Sequence, residues 1–228
     1  MRDEVTPDSV DQTTANTFNK YFAQIGKDIQ VGLGVSCTHS NHRVTGFSFK
    51  HQTPEDIFKI IEGMKTKVAT GADNIPAKIL KDLNGLINVD ICTLINTGYD
   101  LSTFPDCLKH AVITPIFKNK GNHNSPDCYR PISILSIVSK IFERAATNQI
   151  VEHLENHNLL YESQHAYRKS HSTATSLIET TDYIHKCLDQ GNLIGLVSTD
   201  LSKAFDTLSH NLLLNKLRDK GFANTSTT

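Results

Sequence analysis

Residues 193–206 read LIGLVSTDLSKAFD. The apolar run at 193–197 predicts a buried strand over 193–199, and Asp200 follows at its end. A carboxylate there costs free energy unless it is paired or binds a metal. Oxygen ligands suit Mg²⁺, and such an ion can activate a hydroxyl and neutralise a transferring phosphoryl group. The alternative is that Asp200 caps the following turn, and spacing alone favours that simpler interpretation.

The composition bounds the class of protein. The chain has 228 residues, a net charge of −1 and 38% apolar residues, enough for one large domain or two small ones. Balanced charge argues against a strongly basic coat protein but permits a local basic groove. Five irregularly spaced cysteines indicate reduced thiols, and the first thirty residues lack an apolar segment. We therefore expect an intracellular protein, nuclear or cytoplasmic, without a signal peptide or a membrane span.

Apolar spacings of three and four predict several amphipathic helices. Thr53–Pro54–Glu55–Asp56 is a strong helix start, because threonine caps, proline suits the first turn and acids favour the positive end of the dipole. Another start is predicted at Asp73–Pro76, and a loop at 31–47. The remaining predicted helices cover 13–30, 88–102, 136–157, 172–190 and 209–220.

Two short apolar stretches predict a β-hairpin. AVITPIFK (111–118) and YRPISIL (129–135) are separated by a long polar loop. Each arm contains a proline, which predicts edge strands or strands broken at that point. The order of helices, hairpin, helices, strand and helix predicts an α+β fold rather than a βαβ repeat.

Several stretches together resemble one family. LVSTDLSKAFDTLSH (196–210) is similar to the first catalytic motif of reverse transcriptases from non-LTR retrotransposons, the long interspersed element type. Five stretches that precede this motif in the chain also resemble the family and occur in the family's order. They are ANTFNKYFAQIG, MKTKVATGADNIPAKILK, FPDCLKHAVITPIFKNKG, YRPISILSIVSKIFER and ESQHAYRKSHSTATSL, and the whole resemblance runs from about residue 13 to residue 222. The resemblance implies the fingers and a partial palm of a right-hand polymerase, with the β-hairpin in the fingers and an incomplete palm sheet.

The resemblance also implies roles at the first motif. Asp200 would be a metal-binding catalytic carboxylate, and the main-chain carbonyl of Leu201 would help to hold the metal. Phe205 would lie under the sugar of the nucleotide and exclude a 2′-hydroxyl; the alternative is a core aromatic. Asp206 would be a structural acid near the turn. The intact family would use Mg²⁺, an RNA template, a DNA primer and deoxynucleotides.

Two cations occupy the arms of the predicted hairpin, Lys118 and Arg130. Because a hairpin brings its arms together, both could meet one triphosphate, and both side chains suit phosphate oxygens. The alternative is two solvated surface charges. Between residues 108 and 148, six basic residues face only two acids, which favours a local phosphate-binding surface.

A third stretch carries candidate nucleic-acid contacts. By the resemblance, Arg168 would contact the template or the nucleotide pocket, and Lys169 would bind nucleic acid; the alternative for Arg168 is a surface cation beside a helix. Ser172 and Thr173 are well placed as a helix cap. Two positions depart from the family's glycines: Asn74, which tolerates positive φ, and Ala166, where a left-handed backbone would be strained.

The printed sequence contains no aromatic-x-Asp-Asp motif after residue 210. The family's other metal-binding carboxylates lie in that motif, so we expect weak or absent Mg²⁺ binding and no polymerase activity of this chain alone. One alternative is a non-catalytic nucleic-acid-binding or interaction protein derived from a retrotransposon. Another is a zinc module formed by Cys107, His110, His123 and Cys128, whose spacing is near that of zinc fingers.

The predicted organisation has three parts. Residues 1–50 are a linker with an amphipathic helix, 51–192 are a fingers-like region, and 193–228 begin a palm that carries the first catalytic motif. An unpaired palm edge predicts marginal stability or aggregation. The oligomeric state is left open by the sequence.

Overall fold

The computed structural model of the chain describes residues 12–29, 46–201 and 204–222. They form helices and one two-stranded antiparallel sheet, which confirms the α+β class at this level. The backbone divides into two compact units, Met1–Val151 with Phe205–Thr228, and Glu152–Ala204. The predicted loop over 31–47 lies outside the described residues except at its last two positions. The helices are α1 (Gln12–Ile29), α2 (Pro54–Glu62), α3 (Ala77–Asp82), α4 (Asn88–Asp100), α5 (Ile137–Asn156), α6 (Thr173–Asp189) and α7 (His210–Asp219), and the strands are β1 (Ala111–Phe117) and β2 (Tyr129–Leu135).

The core of the first unit lies among α2, α4 and α5. Ile57 and Ile61 of α2, Ile95 of α4 and Ile141 of α5 are fully buried. Full burial of such a side chain contributes about 1.5–3 kcal/mol, so these four residues supply much of the driving force that holds the three helices together. Other buried apolar residues complete the same cluster, among them Ala77, Leu80, Ile91, Phe142 and Ala145.

Helix α2 begins where the sequence predicts it. The Thr53 hydroxyl accepts a hydrogen bond from the Asp56 amide at 3.2 Å, and the Asp56 carboxylate accepts from the Thr53 amide at 2.9 Å. This reciprocal pair is a capping box, with Pro54 in the first helical turn. The Thr53 hydroxyl also donates to the Asp56 carboxylate at 2.7 Å, and this hydrogen bond, together with that from the Thr53 amide, lowers the pKa of Asp56.

The turn before α3 uses a left-handed residue. Asn74 has φ 55°, which confirms that asparagine accommodates the conformation expected at this position. Of the apolar residues that follow, Ala77 and Leu80 are buried, whereas Ile79, Leu83 and Leu86 are exposed. Helix α3 ends after only six residues, so it buries a single turn.

The hairpin has the predicted arms and a regular register. Ala111 pairs with Leu135, and Phe117 pairs with Tyr129 at the loop end. The two prolines, Pro115 and Pro131, lie opposite each other. Since neither has an amide hydrogen to donate, placing them opposite confines the missing ladder bonds to one position.

In the second unit, α6 is capped as predicted. The Ser172 hydroxyl accepts from the Thr175 amide, and the Thr175 hydroxyl accepts from the Ser172 amide. Gly191, with φ 75°, follows the end of the helix, as its position predicts. In the first unit, the Ser209 hydroxyl accepts a hydrogen bond from the Leu212 amide and so caps α7, and Gly221 with φ 91° follows the helix.

The predicted palm strand over 193–199 does not form. The described residues there have no regular secondary structure, and Leu193 and Val197 are 101% and 86% exposed. In the part of the chain that the structure describes, β1 and β2 pair only with each other. A strand needs a hydrogen-bonded neighbour, so an apolar run without one stays extended and solvated.

Candidate functional site

Two cations lie on one face of the hairpin. The Lys118 amide donates to the Cys128 carbonyl at 2.9 Å, which continues the β1–β2 register one step beyond Phe117 and Tyr129. Opposite residues share a face, and so do residues two apart on one strand. Lys118 and Arg130 are therefore diagonal neighbours on the same face, where side chains are roughly 7–8 Å apart and long ones can meet.

The two cations differ in how they are held. The Lys118 ammonium donates to the main-chain carbonyl of Asp127 at 2.6 Å, which uses one of its three hydrogens. Arg130 is exposed, and its guanidinium has no hydrogen bond or ion pair with any described residue. This side of the hairpin thus presents one positioned ammonium and one free planar fork, a pair suited to phosphate oxygens.

The loop beyond the strands is ordered by its own contacts. The Tyr129 hydroxyl donates to the His123 carbonyl at 2.9 Å, and the His123 ring stacks on Phe117 with centroids 3.9 Å apart. The Ser125 hydroxyl donates to the Asp127 carboxylate and lowers the pKa of that group. These contacts fix the carbonyl that holds the Lys118 ammonium.

Close packing reinforces the same loop. Gly121 has φ 92°, and a Cβ added there would lie 2.4 Å from the Cys128 sulfur, so only glycine fits. From outside the loop, Phe18 of α1 packs edge-on against Tyr129 with centroids 5.0 Å apart. This contact could not be found from the sequence, since no local pattern links the two aromatics.

The first-motif residues are exposed. Asp200 and Leu201 lie in a segment without regular secondary structure. Asp200 makes no hydrogen bond with a described residue, and Ser202 and Lys203 lie outside the description. Among the described residues, no group of three or more His, Cys, Asp or Glu is placed to hold a metal ion. These residues therefore do not fit a complete Mg²⁺ site, and the same finding gives no support to the zinc alternative.

Phe205 and Asp206 occupy a turn in the first unit. The Phe205 side chain is 80% exposed, so the alternative of a core aromatic is wrong. Asp206 is also exposed in the turn, as predicted for an acid near that position. The contact of Phe205 with a sugar remains a prediction.

Arg168 is held within the second unit. Its Nε and Nη2 donate to the two carboxylate oxygens of Glu155 at 3.1 and 2.8 Å, and Nη1 donates to the Tyr161 carbonyl at 3.1 Å. The hydrogen bond with Arg168 lowers the pKa of Glu155. Lys169 is exposed, without a side-chain partner among the described residues. The template contact of both cations remains a prediction.

The strained backbone in this stretch is one residue from its predicted position. Tyr167 has φ 60° and Ser170 has φ 64°, whereas Ala166 does not have positive φ. The prediction for Ala166 is wrong because the helix-flanking loop turns at the aromatic residue. Gln164 donates to the Ala166 carbonyl at 3.2 Å, so it has a structural role in this loop.

Comparison with known proteins gives a family match over the second half of the chain. Residues 117–226 match the family Reverse transcriptase (RNA-dependent DNA polymerase). The chain is 30% identical over 164 residues to the probable RNA-directed DNA polymerase from transposon BS of Drosophila melanogaster, covering 72% of this chain and 18% of that protein. It is 25% identical over 166 residues to the RNA-directed DNA polymerase from mobile element jockey of Drosophila funebris, covering 73% and 18%.

A third relative matches a shorter part of the chain. The polyprotein of the type-1 retrotransposable element R2 of Popillia japonica is 27% identical over 111 residues, covering 49% of this chain and 15% of that protein. The chain thus spans less than a fifth of the length of these relatives. The matched region, which begins at the last residue of β1 and includes Lys118 and Arg130, belongs to the reverse transcriptase class of polymerases. Within that class, the chain contains part of a reverse transcriptase domain of the non-LTR retrotransposon family.

Reverse transcriptases as a family use divalent metal ions and bind an RNA template with a primer.

In the described part of this chain, no helix has the length and apolar character that crossing a bilayer requires.

Proposed function

We propose that this chain forms the fingers and the start of the palm of an RNA-directed DNA polymerase, and that Lys118 and Arg130 bind the triphosphate of the incoming deoxynucleotide. In this proposal residues 1–50 are a linker, 51–192 form the fingers-like region and 193–228 begin the palm. The observation that carries the proposal is the hairpin register, which puts a positioned ammonium and a free guanidinium on one face.

Phosphate chemistry explains why this pair suits the role. A triphosphate offers several charged oxygens in a row, and hydrogen bonds between charged groups are roughly twice as strong as neutral ones. The Arg130 fork can hold two oxygens of one phosphate, while the Lys118 ammonium can meet the next as a point charge. The ordered loop contributes preorganisation, because Lys118 need not be immobilised at the moment of binding.

The first-motif residues have proposed roles that complement the hairpin. Asp200 supplies one catalytic carboxylate and Leu201 one main-chain oxygen ligand, and Phe205 discriminates against a 2′-hydroxyl. A pair of Mg²⁺ ions needs more oxygen ligands than this set. We therefore expect the 228-residue polypeptide to bind nucleotide without extending a primer.

The binding test compares charge-removing variants. Titration calorimetry with dATP, against deoxyadenosine as the ligand without phosphates, should show affinity that depends on the triphosphate. Arg130→Gln and Lys118→Gln should each weaken dATP binding by about 10-fold or more, the value of a charged hydrogen bond. Lys59→Gln is the matched control, since Lys59 is an exposed cation of the same unit whose ion pair among the described residues is with the exposed Glu55. Unchanged dATP affinity in the double variant would refute the hairpin site.

A separate assay tests catalysis. Primer extension on an RNA template with Mg²⁺ and deoxynucleotides should show no incorporation by this polypeptide. Incorporation that Asp200→Ala abolishes would overturn the expected inactivity and establish an active polymerase.

The second candidate, a non-catalytic nucleic-acid-binding protein, is favoured by the excess of basic residues around the hairpin. It predicts salt-dependent affinity for an RNA–DNA hybrid that falls in the Lys118 and Arg130 variants. Hybrid binding without measurable dATP binding would favour this candidate over the first.

A further inference from the structure

The loop between α5 and α6 holds an aromatic residue in an unfavourable backbone conformation. Tyr167 has φ 60°, and for a bulky side chain positive φ is an outlier that costs of order 1–3 kcal/mol. Burial does not compensate for this cost, because the Tyr167 side chain is 86% exposed. Such strain persists only where the surroundings impose it, and it is concentrated at sites that bind ligands.

Two anchors impose the conformation from both sides of Tyr167. On one side, the Arg168 guanidinium, only 14% exposed, holds both carboxylate oxygens of Glu155 at the end of α5. On the other, Nε2 of His165 donates to the Glu179 carboxylate at 2.7 Å, and Nδ1 shares a hydrogen bond with the Thr175 hydroxyl at 2.9 Å. Tyr167 lies between residues fixed to two different helices, so the loop presents its ring outward.

The surroundings of Tyr167 indicate the kind of partner. Lys169 is exposed and unpaired among the described residues, so an aromatic ring and a free cation lie two positions apart. Loop residues on both sides of Tyr167 also line an open cleft of about 440 Å³, together with Glu179 and Asp182 of α6. Acidic walls repel phosphates but accept hydrogen bonds from the amino groups of bases. A ring with an adjacent cation is the combination that binds single strands.

We infer that Tyr167 stacks on a base of single-stranded RNA while Lys169 meets its phosphate, and that Arg168 is a positioning residue rather than a phosphate contact. This inference rests on the proposed polymerase function and adds the contact to the template strand. It replaces the predicted direct contact of Arg168 with an indirect role through the loop.

The test measures binding of a fluorescein-labelled, unstructured 14-nucleotide RNA by anisotropy over a range of salt concentrations. Tyr167→Leu should weaken affinity about 5- to 150-fold, the range for loss of one stacked base, with no change in the salt dependence. Tyr167→Phe, which keeps the ring, should stay within about twofold of the wild type. Tyr183→Leu is the matched control, since Tyr183 is an exposed tyrosine on α6 of the same unit.

Two charge variants separate positioning from direct contact. Lys169→Gln should lower the slope of log affinity against log salt by about 0.7, the value for one phosphate contact on a single strand. Arg168→Gln should weaken binding without changing that slope. Glu155→Gln distinguishes the two roles by the direction in which RNA affinity changes. Because the variant removes a negative charge, affinity should rise if Arg168 contacts phosphate directly. If Arg168 positions the loop through Glu155, affinity should fall.

A spectroscopic readout guards against effects of misfolding. The chain contains no tryptophan, so Tyr167→Trp introduces a single indole at the proposed contact. Its emission should be quenched when the RNA is added at saturation, and circular dichroism should match the wild type for every variant. Unquenched emission with RNA bound, or unchanged affinity in Tyr167→Leu, would overturn the inference.

The pattern of failure identifies which proposal is wrong. If Lys118 and Arg130 matter for dATP but Tyr167→Leu binds RNA normally, only this inference fails. If the wild-type chain binds neither dATP nor RNA, both proposals fail.

Discussion

Replacing Gly98 with alanine should destabilise the first unit, although alanine is the better helix former. Gly98 is buried near the end of α4. An added Cβ would lie 2.6 Å from Cζ and 2.9 Å from Cε2 of Phe142, and 3.0 Å from the Thr103 carbonyl oxygen. Carbon atoms prefer separations of about 3.5–4.0 Å, so the ring or the helix would have to move by about 1 Å.

Two opposing effects set the magnitude. Glycine costs about 0.8–1.0 kcal/mol relative to alanine inside a helix, while overpacking a core costs about 1–3 kcal/mol. The upper part of the second range applies here, because Phe142 is buried and contacts Tyr99 and Phe104 at centroid distances of 5.7 and 4.8 Å. We expect Gly98→Ala to lower the free energy of unfolding by about 1–2 kcal/mol.

Urea denaturation followed by far-ultraviolet circular dichroism measures this change. Phe142→Leu in the Gly98→Ala background tests the mechanism: the double variant should lose less stability than the two single changes added together. Gly63→Ala is the control, because Gly63 has φ −72° and an added Cβ comes no nearer than 3.4 Å to another atom. A Gly98→Ala protein as stable as the wild type would refute the overpacking argument.

Two further predictions concern ionisable groups. Thr53→Ala should cost about 1 kcal/mol through loss of the cap, as measured by urea denaturation. The hydrogen bonds of Thr53 lower the pKa of Asp56. The stability that the wild-type cap contributes is therefore fully present above the unfolded pKa of about 3.9 and is lost as pH falls through the folded pKa. Equal acid sensitivity of the variant and the wild type would contradict this. Tyr99→Phe should raise the free energy of unfolding by about 1 kcal/mol, because the Tyr99 hydroxyl is buried without a partner among the described residues. Burial raises the pKa of Tyr99 to about 12, so stability should fall as pH rises from about 10 to 12, and Tyr99→Phe should lose less over that range in an alkaline titration of unfolding.

Local signals in the sequence predicted most of the helices and the hairpin. The cap at Thr53, the cap at Ser172 and the glycine after each of α6 and α7 act within a few residues, so they are visible before any tertiary contact exists. The ordered series of motifs likewise identified the reverse transcriptase family from the sequence alone, which the comparisons confirm.

The predicted site residues were harder to judge from sequence. The same-face placement of Lys118 and Arg130 needs the register of the hairpin, which depends on where the two strands begin to pair. Arg168 looked like a free cation beside an aromatic, but its partner Glu155 comes from a different helix. Tyr167 was overlooked because its positive φ results from anchors on both sides rather than from a residue preference.

Sequence by itself determined where the chain makes helices, where it forms a hairpin and which family it resembles, because those properties depend on short patterns. Tertiary structure alone decided which apolar stretches are covered. Phe47 and Phe222 are both buried and pack with centroids 4.5 Å apart, although they are 175 positions apart in the sequence. The apolar run 193–197, which has the stronger strand pattern, stays exposed because no described strand lies beside it. Burial and sheet formation require a neighbouring segment to pack or pair with. An amino-acid pattern shows only that a stretch can pack or pair when such a neighbour is present.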